Sequence, residues 1–331
     1  AADRLGADGP WGDVRRAVAA ELGFAGVKDR MLRMVTPQQA YVRLGFRCNQ
    51  NCGFCWQDRD WPEPPVSFYY KWVDEIAEAG RTDLTFTGGE VTIHREFIAL
   101  VEHAKQRGLR VTVETNAVQL AKAGVAERLA DAGVETLFIS YHSHIPEVSD
   151  DMTAAPKTHL RTRAGVVAAL EAGLDVSLNC VVERRNCDHL ADHARHIVDT
   201  FVTGMGAHPV RNVVYSHPCS YYDREMWERN LVSLDRVRPQ LLEAMDTLTA
   251  AGVLVTGVGT CGFPPCLLRG RPDALRAFRR EEQAEGDVEG RVFAAVCDGC
   301  AFKPNCLGVR QEYLERFGSE GLQPFETDPF A

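Results

Sequence analysis

The amino-acid sequence predicts an α/β fold, an open partial (β/α)6 TIM-like barrel followed by a small cysteine-rich module. Between residues 40 and 215, short segments rich in Val, Leu and Ile alternate with helical segments that end at glycine. Six such βα units are fewer than the eight that close a barrel, so we expect an open form, with a doubly wound sheet as the alternative. From residue 261 onward Gly, Pro and Cys are frequent, which indicates a separate module.

The alternation assigns each element in turn. The predicted strands are Ala40–Phe46, Asp83–Thr87, Arg110–Thr115, Glu135–Tyr141, Asp175–Val182 and Val210–Tyr215. The predicted helices are Tyr69–Ala79, Phe97–Gln106, Leu120–Ala132, Thr162–Ala172, His189–Phe201 and the long stretch Arg224–Ala251. The predicted regions are an N-terminal extension (1–39), the barrel (40–215), a helical connection (216–260) and the cysteine module (261–331). Because ligands bind at the carboxyl ends of parallel strands, we expect the chemistry just after each strand.

The composition limits the partners and the compartment. A formal net charge of −9 disfavours nucleic acid, whose binding depends on many Lys and Arg side chains. We find no apolar run of the roughly 20 residues that span a bilayer and no secretory signal, so we expect a cytoplasmic protein without a membrane partner. Eleven cysteines in a reducing compartment indicate metal binding or catalysis more than disulfides.

Three cysteines directly follow the first predicted strand. Cys48, Cys52 and Cys55 have three and then two residues between them, and Gly53 allows a tight loop. Three thiolates can bind one face of a four-iron cluster and leave one iron for a chelating small molecule. Zinc is the alternative, but it usually takes four ligands, and no histidine follows closely.

This cysteine pattern resembles that of the radical S-adenosylmethionine (SAM) superfamily. The resemblance implies that Cys48, Cys52 and Cys55 hold a [4Fe–4S] cluster whose fourth iron is chelated by the methionine part of SAM. It also implies reductive cleavage of SAM to a 5′-deoxyadenosyl radical, which abstracts hydrogen from a substrate, with electrons from an external donor of the flavodoxin or ferredoxin type. Phe54 is then expected near the adenine.

Two further motifs follow the second and third strands. Gly88, Gly89 and Glu90 resemble the family's GGE motif, in which the glycines permit close backbone approach and Glu90 offers an acceptor for the SAM ammonium. Asn116 is similar to the Asn of the family's TNG motif, with Ala117 in place of the glycine. The resemblance implies further contacts to SAM from Ser140, Asn179 and Arg184.

The C-terminal cysteines resemble the auxiliary-cluster modules called SPASM and twitch. The resemblance implies one auxiliary [4Fe–4S] cluster, held by Cys266, Cys297, Cys300 and Cys306. Cys261 is an alternative ligand to Cys266, and a structural zinc is the alternative to the cluster.

Other polar residues remain as candidates for catalysis. Cys219 and Cys261 are candidate hydrogen-atom donors, whereas Cys180 is expected to be a buried apolar residue. His142, just after the fourth strand, is a candidate acid or base, or lies in a solvated loop. The pair Asp150–Asp151 is expected to begin a polar loop.

The expected function is a radical SAM oxidation or epimerisation of a small polar substrate in specialised metabolism such as antibiotic biosynthesis. A sugar, aminocyclitol, nucleoside or amino-acid-like compound would fit. The roughly 40 residues before the first strand are too few for the leader-binding domain of many peptide-modifying relatives. A maturase of a ribosomally made peptide is the alternative. A non-catalytic metal-binding protein is a third hypothesis, which Glu90 and Asn116 disfavour.

Overall fold

A computed structural model describes residues 32–34, 37–55, 63–218, 224–256, 258, 262–275 and 290–330. Most of the predicted N-terminal extension, together with Cys219 and Cys261, lies outside the described residues. No helix in the described part of the chain is long and apolar enough to cross a membrane.

The strands follow one another through a single eight-stranded sheet in chain order. They are β1 (Leu32–Met34), β2 (Gln39–Arg43), β3 (Asp83–Thr87), β4 (Arg110–Thr115), β5 (Val134–Ser140), β6 (Asp175–Val181), β7 (Asn212–Ser216) and β8 (Leu254–Thr256). β1 pairs antiparallel with β2, and the seven strands from β2 onward belong to the parallel part that the sequence predicts. β1 and β8 were not predicted, because three residues are too few to show an alternating pattern.

The described α-helices include all those that the sequence predicts. They are α1 (Val66–Glu78), α2 (Phe97–Gln106), α3 (Val125–Asp131), α4 (Pro146–Thr153), α5 (His159–Glu171), α6 (Leu190–Ile197), α7 (Arg224–Asn230), α8 (Leu234–Ala250), α9 (Pro272–Leu275) and α10 (Gln311–Phe317). The predicted stretch Arg224–Ala251 divides into α7 and α8. The prediction of a polar loop at Asp150–Asp151 is wrong, since both residues lie in α4. Pro146 at the first helical position favours this helix, and Met152 is fully buried.

The sheet has one apolar face and one polar face in its first strands. On β3, Leu84 and Phe86 are fully buried, and the Phe86 ring lies edge-on to Phe97 of α2 at 6.1 Å. The opposite face of β3 carries Thr85 and Thr87. A closed barrel fills its interior mainly with branched apolar side chains. The polar face here is therefore suited to binding a ligand.

The chain divides into two compact units. The first comprises the described residues up to Tyr141 together with Thr153–Ser177, and the second comprises His142–Met152 together with the described residues from Leu178 onward. The cysteine loop after β2 belongs to the first unit, and the C-terminal cysteines belong to the second. A short two-stranded sheet, β9 (Arg291–Val292) and β10 (Val309–Arg310), lies within the second unit.

Candidate cofactor and cluster sites

The three predicted ligands lie in the loop after β2. Cys48, Cys52 and Cys55 are all part-exposed. The backbone amide of Cys55 donates to the carbonyl oxygen of Cys52 at 3.1 Å, which closes a tight turn. The amide of Gln50 donates to the sulfur of Cys48 at 3.4 Å. An amide aimed at sulfur stabilises a thiolate, the form that binds metal.

The loop is anchored by two residues between the cysteines. The buried side chain of Gln50 donates to the hydroxyl of Thr158 at 3.2 Å. The backbone amide of Asn51 donates to the carbonyl oxygen of Thr153 at 2.8 Å. Neither contact was predicted from the sequence, because each joins residues about a hundred positions apart and no local pattern reports it.

The glycine motif after β3 packs directly against the cysteine loop. The amide of Gly89 donates to the carbonyl oxygen of Gly45 at 3.1 Å, and the amide of Glu90 donates to that of Arg47 at 2.8 Å. A Cβ atom on Gly89 would lie 2.0 Å from the Arg47 oxygen, and one on Gly88 would lie 2.4 Å from the Gly45 oxygen. The two glycines therefore allow close packing on the cysteine loop, and their predicted close approach to a ligand stays a prediction.

Glu90 joins the ends of β3 and β4. Its carboxylate accepts hydrogen bonds from the Thr115 hydroxyl (2.6 Å), the Asn116 amide (2.7 Å) and both the amide and the hydroxyl of Thr92. Its side chain is buried, which raises the pKa of the carboxyl, while these hydrogen bonds oppose that rise. Four donors are about what a carboxylate accepts. In this structure Glu90 therefore holds the Asn116 turn, and its contact with the SAM ammonium stays a prediction.

Asn116 reaches back to the cysteine loop. Its side-chain amide donates to the side-chain oxygen of Asn49 at 2.6 Å and lies 3.8 Å from the sulfur of Cys48. The side-chain nitrogen of Asn49 is buried and has no hydrogen-bond partner within the described residues. A buried, unpaired donor beside the thiols fits a site that takes a polar ligand. The chemistry of these residues therefore fits a cluster with a chelating cofactor.

The turn after Asn116 is adopted by an alanine. Ala117 is fully buried with φ +58°, the left-handed region that a glycine at this position would favour. Its carbonyl oxygen would lie 2.1 Å from a Cβ atom on Gly165 of α5, so a second glycine accommodates this turn. Ala117, which replaces the glycine of the TNG pattern, therefore adopts the same left-handed turn, and its backbone is strained.

We expect Ala117→Gly to leave the protein equally stable or to stabilise it by up to about 1 kcal/mol. Relief of the left-handed strain, about 1–2 kcal/mol, exceeds the entropy that glycine adds to the unfolded chain, about 0.4–1 kcal/mol. Urea unfolding of the apo protein measures the difference. Ala130→Gly in α3 is the matched control, which should destabilise by about 1 kcal/mol. An equal loss in both variants would contradict the strain at Ala117.

A polar layer lies on the sheet face opposite the helices, directly before the cysteine and glycine motifs. Arg43, the last residue of β2, is in register with Thr87, the last residue of β3, whose hydroxyl donates to the carboxylate of Glu114 on β4. Burial raises the pKa of Glu114, while the charge of Arg43 lowers it. This layer was not predicted, although the alternation of polar and apolar residues in β4 indicates that one face of the strand is polar. These three side chains are candidates for contacting the substrate.

His142 lies in the second unit and is buried. Burial and the charge of Arg185 lower its pKa to about 3, so the ring is neutral near pH 7. Its Nδ1 atom accepts from the backbone amide of Val181 at 3.2 Å, and its carbonyl oxygen accepts from the thiol of Cys180 at 3.5 Å. Cys180 is fully buried, as the sequence predicts. An acid role for His142 requires different surroundings from these.

Acidic residues bind the guanidinium of Arg185, whereas the predicted SAM contact is the preceding residue, Arg184. Its guanidinium makes two hydrogen bonds to the fully buried Glu183, at 2.7 and 3.0 Å, and another to the carboxylate of Asp151 at 3.1 Å. Arg184 is exposed. The sequence marks this Arg-Arg pair but does not distinguish which member turns inward.

The remaining predicted SAM contacts lie at strand ends or in the cysteine turn. Phe54 is part-exposed within the turn from Cys52 to Cys55, and Ser140 is part-exposed as the last residue of β5. Asn179 on β6 is also part-exposed and accepts from the Ser216 hydroxyl at 3.1 Å. Their roles toward SAM stay predictions.

The four C-terminal cysteines line one pocket. Cys266, Cys297, Cys300 and Cys306 share it with mainly apolar side chains, among them Phe293, Phe302, Leu322 and Phe325. Backbone amides donate to two of the sulfur atoms, from Phe325 to Cys300 at 3.3 Å and from Gly308 to Cys306 at 3.2 Å. Burial raises the pKa of Cys306 to about 12.

Within the described ranges, no three or more His, Cys, Asp or Glu side chains converge closely enough to hold one metal ion. Zinc needs its sulfur ligands about 2.3 Å from one centre. A four-iron cluster is bound by four cysteines, and such a cluster is what the sequence resemblance implies for this site.

Comparison with known proteins finds a family whose sequence pattern matches the region that contains the first of these sites. The sequence pattern of the Radical SAM superfamily matches residues 42–197. The chain is 28% identical over 167 residues to PqqA peptide cyclase of Bradyrhizobium diazoefficiens, which covers 49% of this chain and 44% of the cyclase. It is 27% identical over 334 residues to AdoMet-dependent heme synthase of Methanosarcina barkeri, which covers 84% of this chain and 95% of the synthase.

The fold is also shared with a solved structure. The structure of Streptococcus suis SuiB bound to precursor peptide SuiA matches with a TM-score of 0.55 at 16% identity, covering 80% of this chain and 57% of SuiB. The chain therefore spans about half the length of the cyclase and of SuiB.

Proposed function

Because residues 42–197 match the sequence pattern of the Radical SAM superfamily, we propose that the protein belongs to this superfamily, cleaves SAM reductively and modifies a peptide. The observation that carries this proposal is the group of three part-exposed cysteines, Cys48, Cys52 and Cys55, in one loop. That loop is tied to Gly89 and Asn116 by the hydrogen bonds described above. When bound, the cluster and SAM supply a 5′-deoxyadenosyl radical that removes a hydrogen atom from the substrate.

The chain's own residues would bind and orient the cofactor. Cys48, Cys52 and Cys55 hold three irons of the cluster, and the side-chain amides of Asn49 and Asn116 supply donors beside it. Gly88 and Gly89 let the two loops approach each other, so the cysteines and Asn116 keep fixed positions. Phe54, Ser140, Asn179 and Arg184 are the proposed contacts to the adenine, ribose and carboxylate of SAM.

We also propose that Cys266, Cys297, Cys300 and Cys306 hold one auxiliary [4Fe–4S] cluster. Two amide-to-sulfur hydrogen bonds and an apolar lining support this assignment, because both stabilise a buried cluster. Such a cluster accepts one electron, which favours an oxidation, such as formation of a crosslink, over an epimerisation. Cys219 and Cys261 lie outside the described residues, so a donor role for either stays a prediction.

A peptide is the preferred substrate, which reverses the order expected from the sequence alone. The names of two relatives support it, a peptide cyclase and an enzyme bound to a precursor peptide. The expectation of a small substrate rested on the length of the segment before β2, which says nothing about the substrate. A heme-related compound is the second candidate, because the chain covers 95% of a heme synthase.

Co-expression tests the proposal. The full chain is produced anaerobically with each short peptide encoded beside its gene, and the peptides are analysed by mass spectrometry. We expect one peptide to lose about 2 Da, the mass of the two hydrogen atoms removed by an oxidative crosslink. A gain of deuterium from solvent without that loss indicates an epimerisation and contradicts the oxidative assignment.

The second candidate is decided with the purified, reconstituted protein. It is incubated with SAM and reductant, and 5′-deoxyadenosine is measured with each peptide and with an iron porphyrin. Stimulation by the porphyrin but by none of the peptides would overturn the peptide assignment. Absence of 5′-deoxyadenosine under all conditions would overturn the proposed chemistry itself.

A further inference from the structure

One arginine of the second unit joins two segments that line the cysteine pocket. Arg238 lies on α8, and one terminal nitrogen of its guanidinium donates to the carbonyl oxygens of Cys266 (3.0 Å) and Leu267 (2.9 Å). The other terminal nitrogen donates to the carbonyl oxygen of Gly321 at 3.0 Å. The single side chain thus connects the loop that carries Cys266 to the turn at Gly321.

The turn at Gly321 leads directly to the other side of the pocket. Leu322 and Phe325 line the pocket, and the amide of Phe325 donates to the sulfur of Cys300. The same turn packs on the start of α8, where a Cβ atom on Gly321 would lie 2.6 Å from that of Leu234. Arg238 therefore fixes the position of Cys266 relative to the segment that contacts Cys300.

The guanidinium of Arg238 makes no ion pair in the described part of the chain. Its three hydrogen bonds go to backbone carbonyl groups, and its Nε atom is buried without a hydrogen-bond partner among the described residues. Arg238 is half-buried, and a positive charge that is partly removed from water is stabilised by an anion nearby. Lys303, which also lines the pocket, does have such a partner, Asp298 at 3.1 Å.

We propose that Arg238 is a positioning residue for the auxiliary cluster. This inference rests on the proposed function, since it requires that the four cysteines hold a cluster. A [4Fe–4S] cluster with four thiolates is anionic, and the guanidinium beside Cys266 supplies the opposite charge. Arg238 thus holds Cys266 in place and favours the reduced, more negative cluster, which makes the cluster a better electron acceptor.

The test uses the full chain with Cys48, Cys52 and Cys55 all replaced by alanine, so that the auxiliary cluster is the one studied. Arg238→Met removes the charge and the three hydrogen bonds, whereas Arg238→Lys keeps the charge but loses the planar fork. Arg236→Met on the same helix is the matched control, because exposed Arg236 pairs with Asp188 instead. Iron content, the rate of iron loss to a chelator and the reduction potential are measured.

We expect Arg238→Met to lose iron to the chelator at least about tenfold faster and to have a more negative reduction potential than the control. Arg238→Lys should lose iron faster while its potential stays near that of the parent protein. If Arg238→Met does not fold, the rate of iron loss from Arg238→Lys is the deciding measurement. A rate above that of Arg236→Met supports the inference, and an equal rate overturns it. A potential and a rate equal to those of Arg236→Met would overturn the inference.

Cys266→Ala separates this inference from the proposed function. If this variant keeps the iron of its parent, the four cysteines hold no auxiliary cluster. The auxiliary-cluster part of the proposed function is then wrong. If it loses that iron while the Arg238 variants match the control, the cluster stands and the role of Arg238 does not.

Discussion

Cys48→Ala is expected to abolish the release of 5′-deoxyadenosine and to lower the iron content by about four atoms per chain. Three thiolates bind three irons and leave the fourth for SAM, and Cys48 receives hydrogen bonds from Gln50 and Asn116. Without Cys48, two thiolates remain, and they do not hold the cluster against loss of iron. The anaerobic protein is reconstituted, its iron is counted, and 5′-deoxyadenosine is measured after addition of SAM and reductant.

Cys180→Ala serves as the control for this prediction. The substitution removes the same thiol group as Cys48→Ala, but Cys180 is fully buried in the second unit. Its thiol donates to the carbonyl oxygen of His142. This variant should keep its full iron content and its cleavage of SAM, apart from a modest loss of stability. Release of 5′-deoxyadenosine by Cys48→Ala at the rate of the unmodified protein would show that the cluster is bound elsewhere.

The sequence was sufficient for features whose signal is local. β3, β4 and α2 have the bounds predicted for them, because alternation and terminal glycines mark each element within a few residues. The grouping of Cys48, Cys52 and Cys55 beside Gly89 and Asn116 also follows from the sequence, since carboxyl ends of neighbouring parallel strands meet at one edge.

Features that depend on distant contacts were not predictable. The anchor between Gln50 and Thr158 joins positions 108 apart, and nothing near either residue indicates it. The internal role of Arg185 depends on Asp151, which lies in a helix where the sequence predicts a loop. The position of Arg238 beside Cys266 likewise arises only when α8 packs against the C-terminal segment.

The polar layer before the cysteine loop shows a third kind of limit. The residue types of Arg43, Thr87 and Glu114 are visible in the sequence, and their strands were predicted. That the three side chains lie next to one another is known only from the strand register, which places Arg43 beside Thr87 and Thr87 beside Glu114. Because the register brings these three polar side chains together on one face of the sheet, they are candidates for contacting the substrate.

Gly89→Ala is expected to be as damaging to the cofactor site as the loss of a ligand, although Gly89 offers no side chain. The added Cβ atom would lie 2.0 Å from the carbonyl oxygen of Arg47, a backbone atom that cannot rotate away. The amide of Gly89 also bonds to Gly45, so the collision displaces the segment that leads into Cys48. We expect about four fewer iron atoms per chain and no release of 5′-deoxyadenosine.

A glycine that has no atom near its Cβ position serves as the control. It separates the steric collision at Gly89 from the backbone strain that replacing a glycine can cause. Gly80, which follows α1, has φ +72°, but no heavy atom lies within 4 Å of the position that a Cβ atom would take there. Gly80→Ala should therefore cost about 1 kcal/mol through backbone strain, while the iron and the cleavage of SAM remain. Iron counting and 5′-deoxyadenosine release are measured for both variants. If Gly89→Ala retains both, the contact between the glycine motif and the cysteine loop does not hold the cluster ligands in place.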